Sequence, residues 1–459
     1  MLGARFPTKL GYDAVATEKR RRAPLHDVKS EDDHLTPTQR RKLVATTRDL
    51  RRNYALTAWA IRKHLDYVAS FSFQSKNGNE ELDDHIEKLV KWWSLPGNFD
   101  VAGRHGLRRF TRIIEASRVV DGDILIYLLN TGLVQAIEGD RCANPLGAAL
   151  PRHYKMEDFK RGIKCSKGGR PQAYIVNNRS ATGARLEFDR VIPAKYIIQF
   201  AYWDRIDQIR GISPLAAALN TLRDTSEGIG YALARAKVSQ LFALTLKRAS
   251  PKPIGEVDAD DDGDLSESTI DFGRGPIVLD LDPEDEADFL ESKQPAGEFQ
   301  AFMETMFSLS LKALDIPYSF CNESFTNYSG SRQALLMYEQ SAREKRADVK
   351  ALLDHLTHWR IRLWILAGVL KLPIGMTVSD LRWEWQASGL PWIDPLKEVK
   401  ADVEAIGNNL MSRQRILKRM GIDFGEVLDE LEAEEKEIRS RGLAKDAPAG
   451  QPDIIQYSI

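Results

Sequence analysis

The chain has 459 residues, 43% of them hydrophobic and 29% charged, which supports a sizeable core spread over two or three domains and excludes a largely disordered protein. Lysine and arginine number 65 against 66 aspartates and glutamates, a formal net charge of −1, which excludes a surface that grips nucleic acid all over; any DNA contact is local or weak. Three cysteines, Cys142, Cys165 and Cys321, lack metal-ligand spacing and fit free thiols of a reducing compartment. The start Met1-Leu2-Gly3-Ala4-Arg5 lacks the apolar core of a signal peptide, and no stretch approaches the roughly 20 apolar residues of a membrane span.

In chain order, residues 1–38 mix Lys19-Arg20-Arg21-Arg22, prolines and Glu31-Asp32-Asp33 without an apolar period, so an extended arm with solvated charges is expected. From Thr38 to about Phe71 the pattern is helical. Leu82 to Trp93 forms a second helical segment and Phe110 to Val119 a third, with Arg108, Arg109, Arg112 and Arg118 assigned to its polar side. The period then becomes strand-like. Asp121-Gly122-Asp123 turns into Ile124–Leu129 and Asn130-Thr131-Gly132 into Leu133–Ile137, which predicts a β-hairpin; Ala173–Val176 and Ile197–Tyr202 add strands.

The segment Trp203 to Pro214 carries the most specific pattern. Gly211 is expected to permit an unusual backbone turn, Ser213 to cap a helix and Pro214 to take its first position. That helix should run to about Lys247, with Gly228 and Gly230 marking a bend or a close packing contact. Asp258, Asp260, Asp262 and Asp264 fall on calcium-loop positions, but Thr269 stands where a bidentate glutamate is needed, so a solvated acidic loop without a cation is expected. Pro276–Leu281 reads as a strand. Phe299, Phe302, Met303, Met306 and Phe307 then mark an amphipathic helix that Pro317 should end. A polar loop, Tyr318 to Gly330, leads to a helix capped by Ser329 or Ser331 and running to about Leu370, about 60 Å at 1.5 Å per residue. Leu381–Trp385 alternates like a strand, and Val399–Leu410, Arg413–Arg419 and Phe424 to about Arg441 read as helices.

These motifs, taken in order, resemble those of the portal proteins of lambda-like tailed bacteriophages. The resemblance is carried by Arg51-Arg52-Asn53-Tyr54-Ala55, by Asp121-Gly122-Asp123, by Ile137-Glu138-Gly139-Asp140-Arg141, and by Arg205, Gln208, Arg210, Gly211 and Ser213. It continues through Ile316-Pro317-Tyr318, Thr326-Asn327-Tyr328-Ser329, Ser331-Arg332 and Asp394-Pro395, with Gly330 replacing a small residue of the pattern.

The resemblance implies an α+β, mainly helical portal fold. Residues 1–38 would be an N-terminal arm, 39–212 an α/β wing, 213–249 a first stem helix, 250–295 a clip and 296–316 a second stem helix. Residues 317–330 would be a tunnel loop, 331–395 the long helix and a wing return strand, 396–442 a helical crown and 443–459 a tail. By the family's example about twelve copies form a ring at one capsid vertex, around a central channel through which double-stranded DNA is packaged, retained and ejected. The implied partners are the terminase large subunit, the major capsid or scaffolding protein and head-tail adaptor proteins, with no membrane; the place is the virion, after synthesis in the host cytoplasm. Tyr318, Phe320, Asn322, Phe325, Thr326, Asn327, Tyr328 and Ser329 would meet DNA in the channel, and Asp258, Asp260, Asp261 and Asp262 would dock partners.

There is no Walker A loop, no Gly-x-Ser-x-Gly and no His-Glu-x-x-His, so no catalytic residue, metal or cofactor is expected, and a separate ATPase would drive DNA movement. A competing reading is a nucleic-acid-processing enzyme with a helical clamp, in which Asp121, Asp123, Asp140 and His105 hold a metal. Another is a cytosolic helical scaffold. The loop also has a second reading, with Phe320, Phe325 and Tyr328 packed in a core between helices.

Overall fold

A capping box opens the helical part of the chain: Thr36 accepts a hydrogen bond from the Gln39 amide, the Gln39 side chain accepts one from the Thr36 N–H, and Pro37 follows at the first helical position. The computed structural model describes residues 29–145, 150–180, 182, 185–241, 244–248, 285–289, 297–322, 328–389 and 395–441. They fall into two units, one from Met1–Ala217 with Ala313–Ile459, the other from Ala218–Lys312.

The first unit begins with α1 (Glu31–His34), α2 (Pro37–Asn53), α3 (Ala55–Val68), β1 (Phe71–Ser75), α4 (Glu80–Trp93) and α5 (Leu107–Asp121). Then come β2 (Asp123–Leu128), β3 (Val134–Glu138), β4 (Phe159–Lys160), β5 (Ile163–Cys165), β6 (Pro171–Arg179), β7 (Leu186–Pro193) and β8 (Ile197–Ala201). The expected hairpin is present, and β2 lies at the centre of an antiparallel β3-β2-β8 sheet, while β4 to β7 form a meander. Leu125 and Ile137 share one core with Ile163, Tyr174, Val176 and Ile192 of the meander. Alternate residues of β6, Ala173 and Ile175, turn to a second cluster with Phe159, as the period of two demands.

Several expectations need correction here. The arm is not structureless to residue 38, since α1 and the start of α2 lie within it and Asp32 is buried. Lys19 to Arg22 lie outside the described residues. The single helical stretch from Thr38 is two helices, because Tyr54 adopts an extended backbone between them, and it is followed by β1. Arg118 is not on a polar face: it is fully buried. The meander strands β4, β5 and β7 also went unread, being short or strongly polar along one face.

In the second unit, α6 (Leu219–Leu241) is followed by β9 (Leu244–Arg248), β10 (Asp285–Phe289) and α7 (Gly297–Leu311). The first helix was expected to reach Lys247; it ends at Leu241, and 244–248 pair antiparallel with 285–289 instead, Leu246 opposite Ala287. The same register sets Lys247 across from Glu286 and Arg248 across from Asp285. The expected strand at Pro276–Leu281 and the acidic run with Asp258, Asp260, Asp261 and Asp262 lie outside the described residues. Gly228 and Gly230 do not mark the close packing expected of them: a Cβ on Gly228 would make only an ordinary contact, 3.9 Å from the Met303 sulfur of α7, and one on Gly230 would meet nothing within 4 Å. Ile229, Tyr231 and Leu233 on α6, and Phe302 and Leu309 on α7, are exposed.

The chain re-enters the first unit through Asp315, which has a positive φ of 59° ahead of Ile316-Pro317. Next are α8 (Ser319–Asn322), α9 (Tyr328–Leu366), β11 (Trp383–Ala387), α10 (Pro395–Gly407), α11 (Arg413–Met420) and α12 (Phe424–Ser440). At 39 residues α9 is about 60 Å long. It starts at Tyr328, so Tyr328 and Ser329 belong to the helix and not to the loop, and neither Ser329 nor Ser331 is its cap. It stops at Leu366, short of Leu370, where Gly368 takes a positive φ of 71°. Its inner face buries Tyr338, Ala342, Val349, Leu353 and Leu356, and β11 pairs with β1, Trp385 opposite Phe73. Ser412 and Asp423 cap α11 and α12 as their side chains accept amides of the first turn. No helix among the described residues is long and apolar enough to cross a membrane.

Candidate functional site: a buried arginine junction and a helix turn

The segment Trp203–Pro214 folds back on the first unit and inserts one charge. Arg210 is 3% exposed at its side chain, and its Nε and Nη2 donate to Asp123 Oδ2 and Oδ1 at 2.6 and 2.8 Å. Its Nη1 donates to the carbonyls of Cys142 and Arg161, and Nη2 to that of Gly139. Asp123 also receives the Gly211 amide and Arg40 Nη2, while Arg40 Nη1 donates to the Gly211 carbonyl at 2.7 Å. Asp32 closes the outer side by accepting the amides of Ile209 and Arg210. Burial pushes the Asp123 carboxyl up, but Arg210 and Arg40 outweigh it and hold it below the usual carboxylate range.

The neighbouring motif residues shape the backbone that delivers Arg210. Gln208 Oε1 accepts the amides of Asp204 and Arg205, and its Nε2 donates to the carbonyls of Tyr202 and Arg210. Ser213 Oγ donates to the Val119 carbonyl at 2.6 Å and accepts the Leu215 amide, opening a 3-10 turn, Pro214–Ala218. Gly211 is needed for proximity and not, as expected, for an unusual turn: a Cβ on it would lie 2.2 Å from the Gly122 carbonyl oxygen. The left-handed residue is Gly122, with φ 92°. Thus Gln208, Arg210, Gly211 and Ser213 form one structural junction. Arg205 is half exposed beside Asp207, and Arg332 is exposed on α9.

A second network, buried at His64, Glu115 and Arg118, reaches from α3 to the exposed carboxylate of Asp348 on α9. His64 Nε2 lies 2.7 Å from Glu115 Oε1, Arg118 grips Glu115 through Nε and Nη2, and its Nη1 donates to Asp348 at 2.8 Å. The Arg118 guanidinium also lies 4.3 Å from the Phe200 ring and 4.1 Å from that of Tyr202. Sequence reasoning missed this network, together with Asp32 and Arg40. A signal existed: Thr111, Glu115 and Arg118 recur at helical spacing beside Phe110 and Ile114, on the stripe that should be apolar.

The carboxylates of the metal-enzyme reading are taken by arginines. Arg48 binds Asp121 through two nitrogens at 2.8 and 2.6 Å and reaches Asp140, which Arg179 also holds, while Asp123 belongs to Arg210 and Arg40. His105 lies in the loop before α5. Among the described residues no group of three or more His, Cys, Asp or Glu is placed to hold a metal.

At the helix turn, Lys345 Nζ donates to the Leu314 carbonyl and, with Ser341, to the Asp315 carboxylate, fixing the strained residue ahead of Pro317. Phe320 is half-buried between Tyr67 and Tyr338, with ring centroids at 6.1 and 5.6 Å, so it packs against α3 and α9 in one chain. Tyr318 is half-buried and Asn322 ends α8. Phe325, Thr326 and Asn327 lie outside the described residues.

A family model described as phage portal protein, lambda family, matches residues 18–346, most of the chain and the whole of the Arg210 junction. The chain belongs to the lambda family of phage portal proteins. A probable portal protein of Halomonas phage phiHAP-1 is 24% identical over 390 residues, covering 80% of this chain and 72% of the relative. Among solved structures, a chain of the virion of a native gene transfer agent particle is 12% identical with a TM-score of 0.49, covering 84% of this chain and 99% of that one. A chain from the neck of a native gene transfer agent particle computed with C12 symmetry is 12% identical with a TM-score of 0.48, covering 82% and 93%. In this portal family member the buried residues of the most specific motif, Gln208, Arg210, Gly211 and Ser213, hold the subunit together.

Two tests follow from the charges. Asp123→Asn leaves Arg210 and Arg40 buried without a counter-charge and should cost about 3–5 kcal/mol of stability in denaturant titration. His64 is lowered from its ordinary 6.5 by burial, which outweighs Glu115. The unfolded chain therefore takes up a proton below about pH 6.5 that the folded chain refuses, and stability should fall as pH drops from 7.5 to 5.5, by up to about 1.4 kcal/mol per unit. His64→Gln should flatten that part of the melting-temperature profile.

Proposed function

We propose that about twelve copies of this portal protein close into a ring at one capsid vertex, and that its channel carries double-stranded DNA in during packaging and out during ejection. The observation that supports this reading is the uncovered apolar surface on α6 and α7, in a chain of the portal family. Ile229, Tyr231, Leu233, Phe302 and Leu309 are residues that a neighbouring copy would cover. In this reading α6 and α7 are the stem helices, residues 250–295 the clip, α10 to α12 the crown, and the sheets with α2 to α5 and α9 the wing. The terminase large subunit and head-tail adaptors dock on the ring, the capsid or scaffolding protein surrounds it, and the protein, made in the host cytoplasm, resides in the virion. It carries no catalytic step.

The tunnel loop is reduced to the residues between α8 and α9. Phe320 fixes its root, while Asn322, Phe325, Thr326 and Asn327 supply contacts that meet phosphates without a fixed positive charge, which positions DNA without a salt-dependent grip. Near-neutral net charge suits a conduit in which DNA must slide.

Electron microscopy of purified protein should show rings of about twelve with a central opening. Replacing residues 321–326 by two glycines should leave the rings intact and lower the DNA packaged or retained per particle; unchanged packaging and retention would remove the channel role. Neutralising Asp258, Asp260, Asp261 and Asp262 together should spare assembly and weaken terminase or adaptor docking in pull-down, and normal docking would exclude the acidic segment from the partner surface.

A further inference from the structure

Where α9 ends on the first unit, a cavity of about 690 Å³ opens between α4, the β2–β3 turn and the last turns of α9. Its walls include Leu89, Trp92, Leu363, Trp364 and Leu366, of which Trp92 and Leu366 are 50% and 83% exposed. One charge lines it. Arg360 is only 8% exposed, its Nε has no hydrogen-bond partner, and no carboxylate pairs with it among the described residues. The guanidinium rests over the Trp364 ring at 5.0 Å and fills the open side of Gly132, where a Cβ would stand 1.3 Å from Nη1. Among the described residues, the other arginines buried this deeply are answered by carboxylates: Arg118 by Glu115, Arg210 by Asp123. A desolvated cation without a counter-charge is costly, and an apolar cavity around it selects an acid that arrives with apolar neighbours.

The same chain displays such an acid. On α12 the spacing of four, three and four places Val427, Leu431, Glu434 and Ile438 in one stripe, with Leu431 and Ile438 at 53% and 39% exposure. Glu432, Glu435 and Glu437 each pair with a basic residue one turn on, at Lys436, Arg439 and Arg441; Asp429, Glu430 and Glu434 have no such partner among the described residues, and of these Glu434 lies at the spacing of the stripe. We propose that the α12 stripe of a second copy docks on this cavity, Leu431 against Trp92 and Leu366 and Glu434 on Arg360, as a heterologous contact between neighbouring subunits. The contact rests on the ring reading and gives it one defined interface.

The test combines charge exchange with a covalent trap in the full-length chain. Arg360→Met should leave the melting temperature of the dissociated subunit unchanged or higher, because an unpaired buried charge is removed, while raising the concentration needed for assembly about tenfold. Glu434→Arg should weaken assembly similarly, and Arg360→Glu combined with Glu434→Arg should recover much of the loss, as a coupled pair does. Ala367→Cys with Leu431→Cys, mildly oxidised, should give a ladder of disulfide-linked subunits on non-reducing electrophoresis that neither single variant gives. Wild-type rings together with an absent ladder and charge variants that assemble normally would overturn the contact and leave the ring reading standing. Loss of a capsid or adaptor protein's binding in Arg360→Met rings that assemble normally would assign the cavity to that other protein and also overturn it. Absence of rings in the wild type would strike the ring reading itself.

Discussion

Burying a guanidinium and a carboxylate together is tolerable only when nearly every donor and lone pair is used, and the Arg210–Asp123 pair meets that condition through three carbonyls, the Gly211 amide and Arg40. These groups come from α2, β2, the turn after β3, the β4–β5 turn and the segment before Pro214. The pair therefore fixes how the β3-β2-β8 sheet and the β4–β7 meander stand against α2. It also fixes where the chain leaves that unit, since Ser213, tied to Val119, immediately precedes the 3-10 turn that leads into α6. An apolar core alone would hold these elements together, but with less control of register, because apolar contacts have no direction.

The His64–Glu115–Arg118–Asp348 network does the corresponding work for α9. The helix, about 60 Å long, buries residues from Tyr338 to Trp364, and the pair between Arg118 and Asp348 adds a directional contact that apolar packing lacks. The aromatic group of Tyr67, Phe320 and Tyr338 ties α8 to α3 and to the N-terminal half of α9. Against this interior, where charges are answered one by one, the surfaces of α6, α7 and α12 and the Arg360 cavity are unfinished, which is the expected state of a subunit whose remaining partners are other chains.

Periodicity and punctuation in the sequence determined α4, α5, the β2–β3 hairpin, α7, α9 and the three closing helices within a few residues, because their signals are local: capping side chains, prolines and a steady apolar period. The order of short motifs was likewise enough to indicate the portal family. What the sequence left open depended on distant partners. Residues 244–248 continue a helical pattern until 285–289 offer a ladder, and 71–75 become a strand only because 383–387 return beside them. Gly211 carries no sign in its own neighbourhood that the Gly122 carbonyl presses on it. Charge is the clearest case: Arg118, Arg210 and Asp32 look like surface residues one at a time, and only the tertiary structure, by bringing their counter-charges within hydrogen-bond reach, makes their burial affordable.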